Sequence, residues 1–181
     1  MKTFIEYITE SYINLSMDDE KKKTYANQVF DILQKSYAKI GGIHGSGFSS
    51  PEDMIQNIPY WKLFKRNDKI IACVLYKDRS GRKLVALGSD GSSEGKNIAK
   101  RMLRDDIERN RAYGEVSDAV LRYLQNTYGD ELDKFLIPAK EAGKILNKEV
   151  TPTGIYTYRR LIGGVEHEKA MYGSLGKGFK S

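Results

Sequence analysis

Cysteine is nearly absent from this chain: one, Cys73, stands among 181 residues. A lone thiol can neither close an internal disulfide nor build a cysteine metal site. Within the apolar run from Ile70 to Tyr76 it reads as a buried, inert side chain, suited to a reducing compartment. Histidine is as scarce, with only His44 and His167, so no metal is expected. No apolar stretch approaches the roughly 20 residues that span a bilayer, and the start MKTFIEYITES lacks the apolar core of a secretory leader. Neither a membrane partner nor export is therefore expected. No internal repeat is visible. A large excess of one charge is missing too: 30 basic against 24 acidic residues give a net +6, which permits an anionic ligand or nucleic acid without demanding either.

What is present is enough chain for one full-sized domain. The expected organisation is an N-terminal arm over residues 1–18, a single domain over 19–171 and a basic, glycine-rich tail over 172–181. Phe4, Ile5, Ile8 and Tyr12 form a short apolar stripe at helical spacing in the arm. Asp18 or Asp19 can cap a helix to about residue 39, with Tyr25, Val29, Ile32, Leu33 and Tyr37 on one face. Ser50 and Pro51 open a second, short helix to about residue 57. Three β-rich runs follow at 60–65, 69–76 and 83–88, separated by turn residues, which predicts an antiparallel meander with Cys73 inside it. Further on come a helix from Gly95, a short strand at 113–117, a helix from Asp118 to a stop at Gly129, a brief strand at 135–137, helical turns over 138–146 and a last strand over 154–162. The fold class is α/β in the broad sense (α+β): a mixed, mainly antiparallel central sheet flanked by helices.

The chain is organised around residues 82–106. A strand over 83–88 runs into the polar, glycine-containing turn from Ser89 to Ser93, and then into a helix with Ile98, Ala99, Met102, Leu103 and Ile107 on one face. The first amides of a helix have no partner within it and carry partial positive charge, so such a turn can hold an anion. The same residues serve equally well as an ordinary strand-to-helix connection.

The run from Glu94 to Ala99, EGKNIA, followed by KRML, resembles the pyrophosphate loop of the GNAT superfamily of N-acetyltransferases, usually Q/R-x-x-G-x-G/A at a helix start. Glu94 replaces the usual Arg or Gln and Asn97 the middle Gly. A carboxylate at the first position faces a pyrophosphate with like charge. The order of elements from about residue 19 to 162 is similar as well, although no first strand is evident ahead of the helices. The resemblance implies a GNAT-like fold with acetyl-CoA as cofactor. Val85, Ala86, Leu87 and Gly88 would line pantetheine, while Ser93, Gly95, Lys96, Asn97, Ile98 and Ala99 would hold the pyrophosphate. It also implies a base to deprotonate the acceptor ammonium, for which Glu115 is the candidate. An acid must reprotonate the thiolate, for which Tyr123 and Tyr128 are the candidates. His44, Gly45 and Ser46 lie in a glycine-rich loop that can line a substrate cleft or sit at the surface.

The first ten residues resemble the capsid-targeting segment of internal head proteins of T-even-type tailed bacteriophages, which is cut after a Glu preceded two residues earlier by Leu or Ile. Here the cut would follow Ile8-Thr9-Glu10 and leave Ser11 first. An N-terminal helix docked on its own domain is the plain alternative. Two functions are expected from these resemblances: an N-acyltransferase moving acetyl from acetyl-CoA to an amine, with a host protein among the acceptors that a phage origin implies, or a catalytically degenerate relative that binds a host factor or nucleic acid. The expected location is the host cytoplasm, or the phage head if the segment is a targeting signal.

Overall fold

A strand absent from the sequence reading begins the computed structural model, which describes residues 10–38, 48–78, 82–109, 111–116, 118–135 and 170–172. Strand β1 (Glu10–Leu15) pairs antiparallel with β2 (Tyr60–Arg66), Tyr12 opposite Phe64 and Leu15 opposite Trp61. The second half of the expected arm is thereby corrected. Ile13 and Leu15 alternate with Tyr12 and Asn14, the period of a strand, and Leu15 is buried in the core. Tyr12 belongs to this strand and not to a helical stripe. Its ring meets Phe64 edge-on at 4.9 Å. Residues 1–9 lie outside the described residues.

The described residues of 1–77 and 84–104 make one compact unit, and those of 78–83 and 105–181 a second, where the sequence led to one domain over 19–171. In the first unit, β2, β3 (Lys69–Asp78) and β4 (Arg82–Ser89) complete a four-stranded antiparallel sheet in the order β1-β2-β3-β4. The expected meander is present, and Cys73 is fully buried in it. β3 is a continuous apolar run and is buried from Ile70 to Tyr76, as a strand covered on both faces requires. The β2–β3 turn holds Asn67 at φ 52°. The β2–β3 register shifts between Phe64 and Lys65, and Gln28 bonds to the β3 side of the hairpin: its Oε1 accepts from the Ile70 amide at 2.9 Å and its Nε2 donates to the Asp68 carbonyl at 3.3 Å.

Gln28 belongs to α1 (Lys21–Ala38), which starts where Asp19 Oδ1 accepts from the Lys21 amide at 2.9 Å. The helix α2 (Pro51–Asn57) is capped by Ser50, whose Oγ accepts from the Asp53 amide at 3.0 Å. Val29, Ile32 and Leu33 of α1 and Met54 of α2 pack into one core with Leu15, Trp61, Leu63, Cys73, Leu75 and Ala86 of the sheet. Each large apolar side chain fully buried there contributes roughly 1.5–3 kcal/mol. Lys22 breaks the hydropathy pattern, since it is buried within this helix. Its Nζ donates to the carbonyls of Ile58 at 3.0 Å, Pro59 at 2.7 Å and Met17 at 3.4 Å, and lies 5.3 Å from the centroid of the Trp61 ring. Burial pulls its pKa below the ordinary lysine value, against the opposing pull of Asp19 and Asp18.

The helix α3 (Ser93–Glu108) begins two residues before the expected Gly95. The expected apolar face is correct: Ile98, Ala99, Met102, Leu103 and Ile107 are all buried. In the second unit, the Tyr113 amide donates to the Arg82 carbonyl at 3.0 Å, and Tyr113 forms a single parallel bridge with Lys83. β5 (Gly114–Val116) pairs antiparallel with β6 (Ala170–Tyr172). Tyr172, expected to open the tail, therefore ends a strand. The helix α4 (Asp118–Tyr128) stops at Gly129, whose φ of 54° suits glycine, and a 3-10 helix (Gly129–Lys134) follows. Phe135 caps that helix in an αR conformation and not as the strand residue expected, while residues 136 and 137 of the expected strand lie outside the described residues; the Phe135 ring lies 4.7 Å from that of Tyr128. The turns expected over 138–146 and the strand over 154–162 lie outside the described residues.

Candidate functional site

The turn from β4 into α3 is built almost entirely from its own hydrogen bonds. Gly91 takes a φ of 87° and lets the chain reverse after Asp90. The Asp90 amide donates to the Ile71 carbonyl of β3 at 3.0 Å, which ties the turn to the sheet. One carboxylate oxygen of Asp90 accepts from the Ser92 amide at 3.0 Å and from the Ser92 hydroxyl at 2.5 Å. Ser92 then caps the helix: its Oγ accepts from the Gly95 amide at 3.0 Å, and its carbonyl accepts from the Lys96 amide at 3.0 Å. A Cβ on Gly95 would stand 2.4 Å from Asp90 Oδ1 and 2.6 Å from the Ile71 carbonyl oxygen, so glycine is what allows the helix start to lie this close to β3.

The amides of Gly95 and Lys96, expected to hold a pyrophosphate, are thus engaged inside the first helical turn. Asn97 lies within α3, and Asn67 is the residue other than glycine with positive φ among the described residues. The substitution of Asn for Gly at 97 needs no special backbone. Ser93, Lys96 and Asn97 are exposed, whereas Ile98 and Ala99 turn into the core.

Charge at this helix start is balanced. Burial pushes the Asp90 carboxyl upward, but the Ser92 hydroxyl and amide and the Lys69 amine, 3.6 Å away, prevail and hold its pKa below the ordinary carboxylate value. Glu94 makes an ion pair and hydrogen bond with Arg66 at the end of β2. The Glu94 carboxylate, for which Lys96, Lys100 and Arg101 are the nearby cations in sequence, is thus paired with a more distant one, Arg66. Both side chains are about one-third exposed, which places the pair's contribution at about 1 kcal/mol or less.

Of the β4 residues expected to line pantetheine, Ala86 and Gly88 are buried and Val85 and Leu87 half-buried. Two of this strand's amides already have partners on α1. The Leu87 amide donates to the Tyr37 hydroxyl at 3.4 Å, and the Ser89 amide donates to Ser36 Oγ at 3.3 Å. The Ser36 hydroxyl also donates to the Ser89 carbonyl at 3.4 Å. A Cβ on Gly88 would stand 3.0 Å from Ile32 Cγ2 and from Ser36 Oγ, so this glycine admits α1 to the strand. Burial raises the Tyr37 pKa, the Leu87 amide lowers it and nearby Cys73 raises it. Burial likewise pushes the Cys73 thiol up to about 12, against a hydrogen bond from the Gly88 amide, which keeps it protonated and inert.

The candidate catalytic residues all fall in the second unit. Glu115 has its backbone in β5, and its side chain lies outside the described residues. Tyr123 is half-buried on α4, its carbonyl accepting from the Thr127 hydroxyl at 2.8 Å. The Tyr128 hydroxyl donates to Glu108 Oε1 at 2.9 Å. His44, Gly45 and Ser46 lie outside the described residues. Among the described residues, no group of three His, Cys, Asp or Glu could hold a metal, and no helix is long and apolar enough to cross a membrane. The chain matches no protein-family model and no curated protein.

Proposed function

We propose that the chain is a GNAT-like N-acetyltransferase of a tailed phage, moving the acetyl group of acetyl-CoA to an amine. One observation carries this: a strand, two helices and three antiparallel strands lead directly into a helix that opens at the end of the third, with Arg66 paired to the Glu94 that would otherwise repel a pyrophosphate. The strand β1 ahead of the two helices supports this reading, since the resemblance implies a first strand there. In the reaction the deprotonated amine attacks the thioester carbonyl, the C–N bond forms, the C–S bond breaks, and the thiolate takes up a proton. Glu115 remains the candidate base. Tyr123 and Tyr128 remain the candidate acids, and the Tyr128 hydroxyl donates to Glu108. Calorimetric titration with acetyl-CoA tests the proposal. Saturable one-to-one binding is expected, and the absence of any binding at millimolar coenzyme would refute it.

A second reading is favoured by the internal bonds of the site. Asp90 and Ser92 fill the helix start, and Ser36 and Tyr37 take amides of β4. A scaffold so closed would act by binding a host factor or nucleic acid. It would show no response to acetyl-CoA, and nucleic-acid binding would weaken steeply with salt. Processing after Glu10 suits either reading, since the cut would remove only the first residue of β1 and leave Ser11–Leu15 paired. Mass spectrometry of the protein from mature virions would show Ser11 at the N-terminus, whereas an intact residue 1 would rule the cut out.

A further inference from the structure

We propose that Ser36 and Tyr37 form a displaceable latch on β4, standing in for an extended amide chain that would otherwise bind the Leu87 and Ser89 backbone. The N–H and C=O of a strand residue point to the same edge, and alternate residues share that edge. Leu87 and Ser89 are such a pair. A neighbouring extended chain would exchange both kinds of bond with Ser89, and the single hydroxyl of Ser36 copies that exchange by accepting from the Ser89 amide and donating to its carbonyl. The longer Tyr37 side chain reaches back one step along the strand to the Leu87 amide.

The copy is a poor one. The two N–H···O contacts measure 3.3–3.4 Å, beyond the usual range of about 2.7–3.2 Å, and the O–H···O contact measures 3.4 Å, beyond its usual range of about 2.5–3.0 Å. An amide carbonyl set at ordinary strand distance would bond more strongly than either hydroxyl. The latch therefore protects the edge from unwanted strand pairing while yielding to a ligand of the right form. Gly88 makes this geometry available, because any side chain there would push Ser36 and Ile32 away.

The latch rests on the acetyltransferase reading of β4, and its ligand is an extended amide chain, either the pantetheine arm of a coenzyme or a peptide. The test compares the wild type with Ser36→Ala/Tyr37→Phe, and with Tyr37→Phe alone should the double variant fold poorly. Amide hydrogen exchange is read at Leu87 and Ser89, and titrations use acetyl-CoA and capped tetraalanine. Faster exchange at both amides is expected, or at Leu87 in the single variant, with acetyl-CoA binding about tenfold tighter in the double variant, the gain from removing three weak competing contacts. If exchange rises and only tetraalanine gains affinity, the latch stands and the coenzyme reading falls. The latch is overturned if exchange does not change, or if exchange rises and neither ligand binds more tightly.

Discussion

The two ends of the four-stranded sheet are finished in different ways. At β4 the backbone meets hydroxyls from α1, and the following turn is closed by Asp90 and Ser92. At β1 the strand from Ser11 to Leu15 carries no charge and no proline, its register with β2 is regular, and Tyr12 is 42% exposed beside Phe64 and the Lys62 amine. The devices that usually blunt a sheet edge are side-chain charge, proline, bulges and covering elements. One end uses covering hydroxyls, while the other relies on pairing with β2 and on the anchorage of Leu15. Stability at β1 should thus depend on apolar burial, and at β4 on polar satisfaction.

The sharpest way to break this contrast is Leu15→Ala. Leu15 is 3% exposed within the main core, and truncation should cost about 2–5 kcal/mol, measured by urea unfolding. A loss under 1 kcal/mol would mean that β1 is not anchored as described. A smaller, pH-dependent effect is expected of Asp90→Asn. The folded-state pKa of Asp90 is depressed, so its stabilising contribution is present above the ordinary carboxylate value and disappears as pH falls through the folded value. The stability gap between wild type and variant should accordingly be full at neutral pH and close in acid; a gap independent of pH would contradict the assignment. The smallest effect belongs to removal of residues 1–10, which leaves Ser11–Leu15 in register with β2. The unfolding midpoint should fall by no more than about 1 kcal/mol equivalent, whereas extending the deletion through Ser16 should reproduce or exceed the Leu15→Ala loss.

Much of the first unit was legible because its signals are local. Apolar spacing located α3 and its buried face, Ser50 with Pro51 marked α2, and three β-rich runs with turn residues between them gave β2, β3 and β4. What escaped is non-local. β1 is short, and its partner lies some fifty residues away in β2. Arg66 and Glu94 are separated by 28 positions, Ser36 and Ser89 by 53. No periodicity encodes such pairings; they arise only once the sheet has formed. The candidate site was legible as a strand, turn and helix, but which of its polar groups were already engaged was not.

Lys22 carries a consequence for the chemistry of the protein's surface. Lys21, Lys22 and Lys23 look like a single basic tract, yet the outer two are exposed while the middle amine is sealed among carbonyls of Met17, Ile58 and Pro59. An amine-labelling reagent meeting the folded chain would modify the first and third and pass over the second. Labelling at Lys22 would then act as a clock for opening of the two segments that hold it, one at Met17 and one at Ile58 and Pro59, since the amine becomes reactive only when those carbonyls let it go.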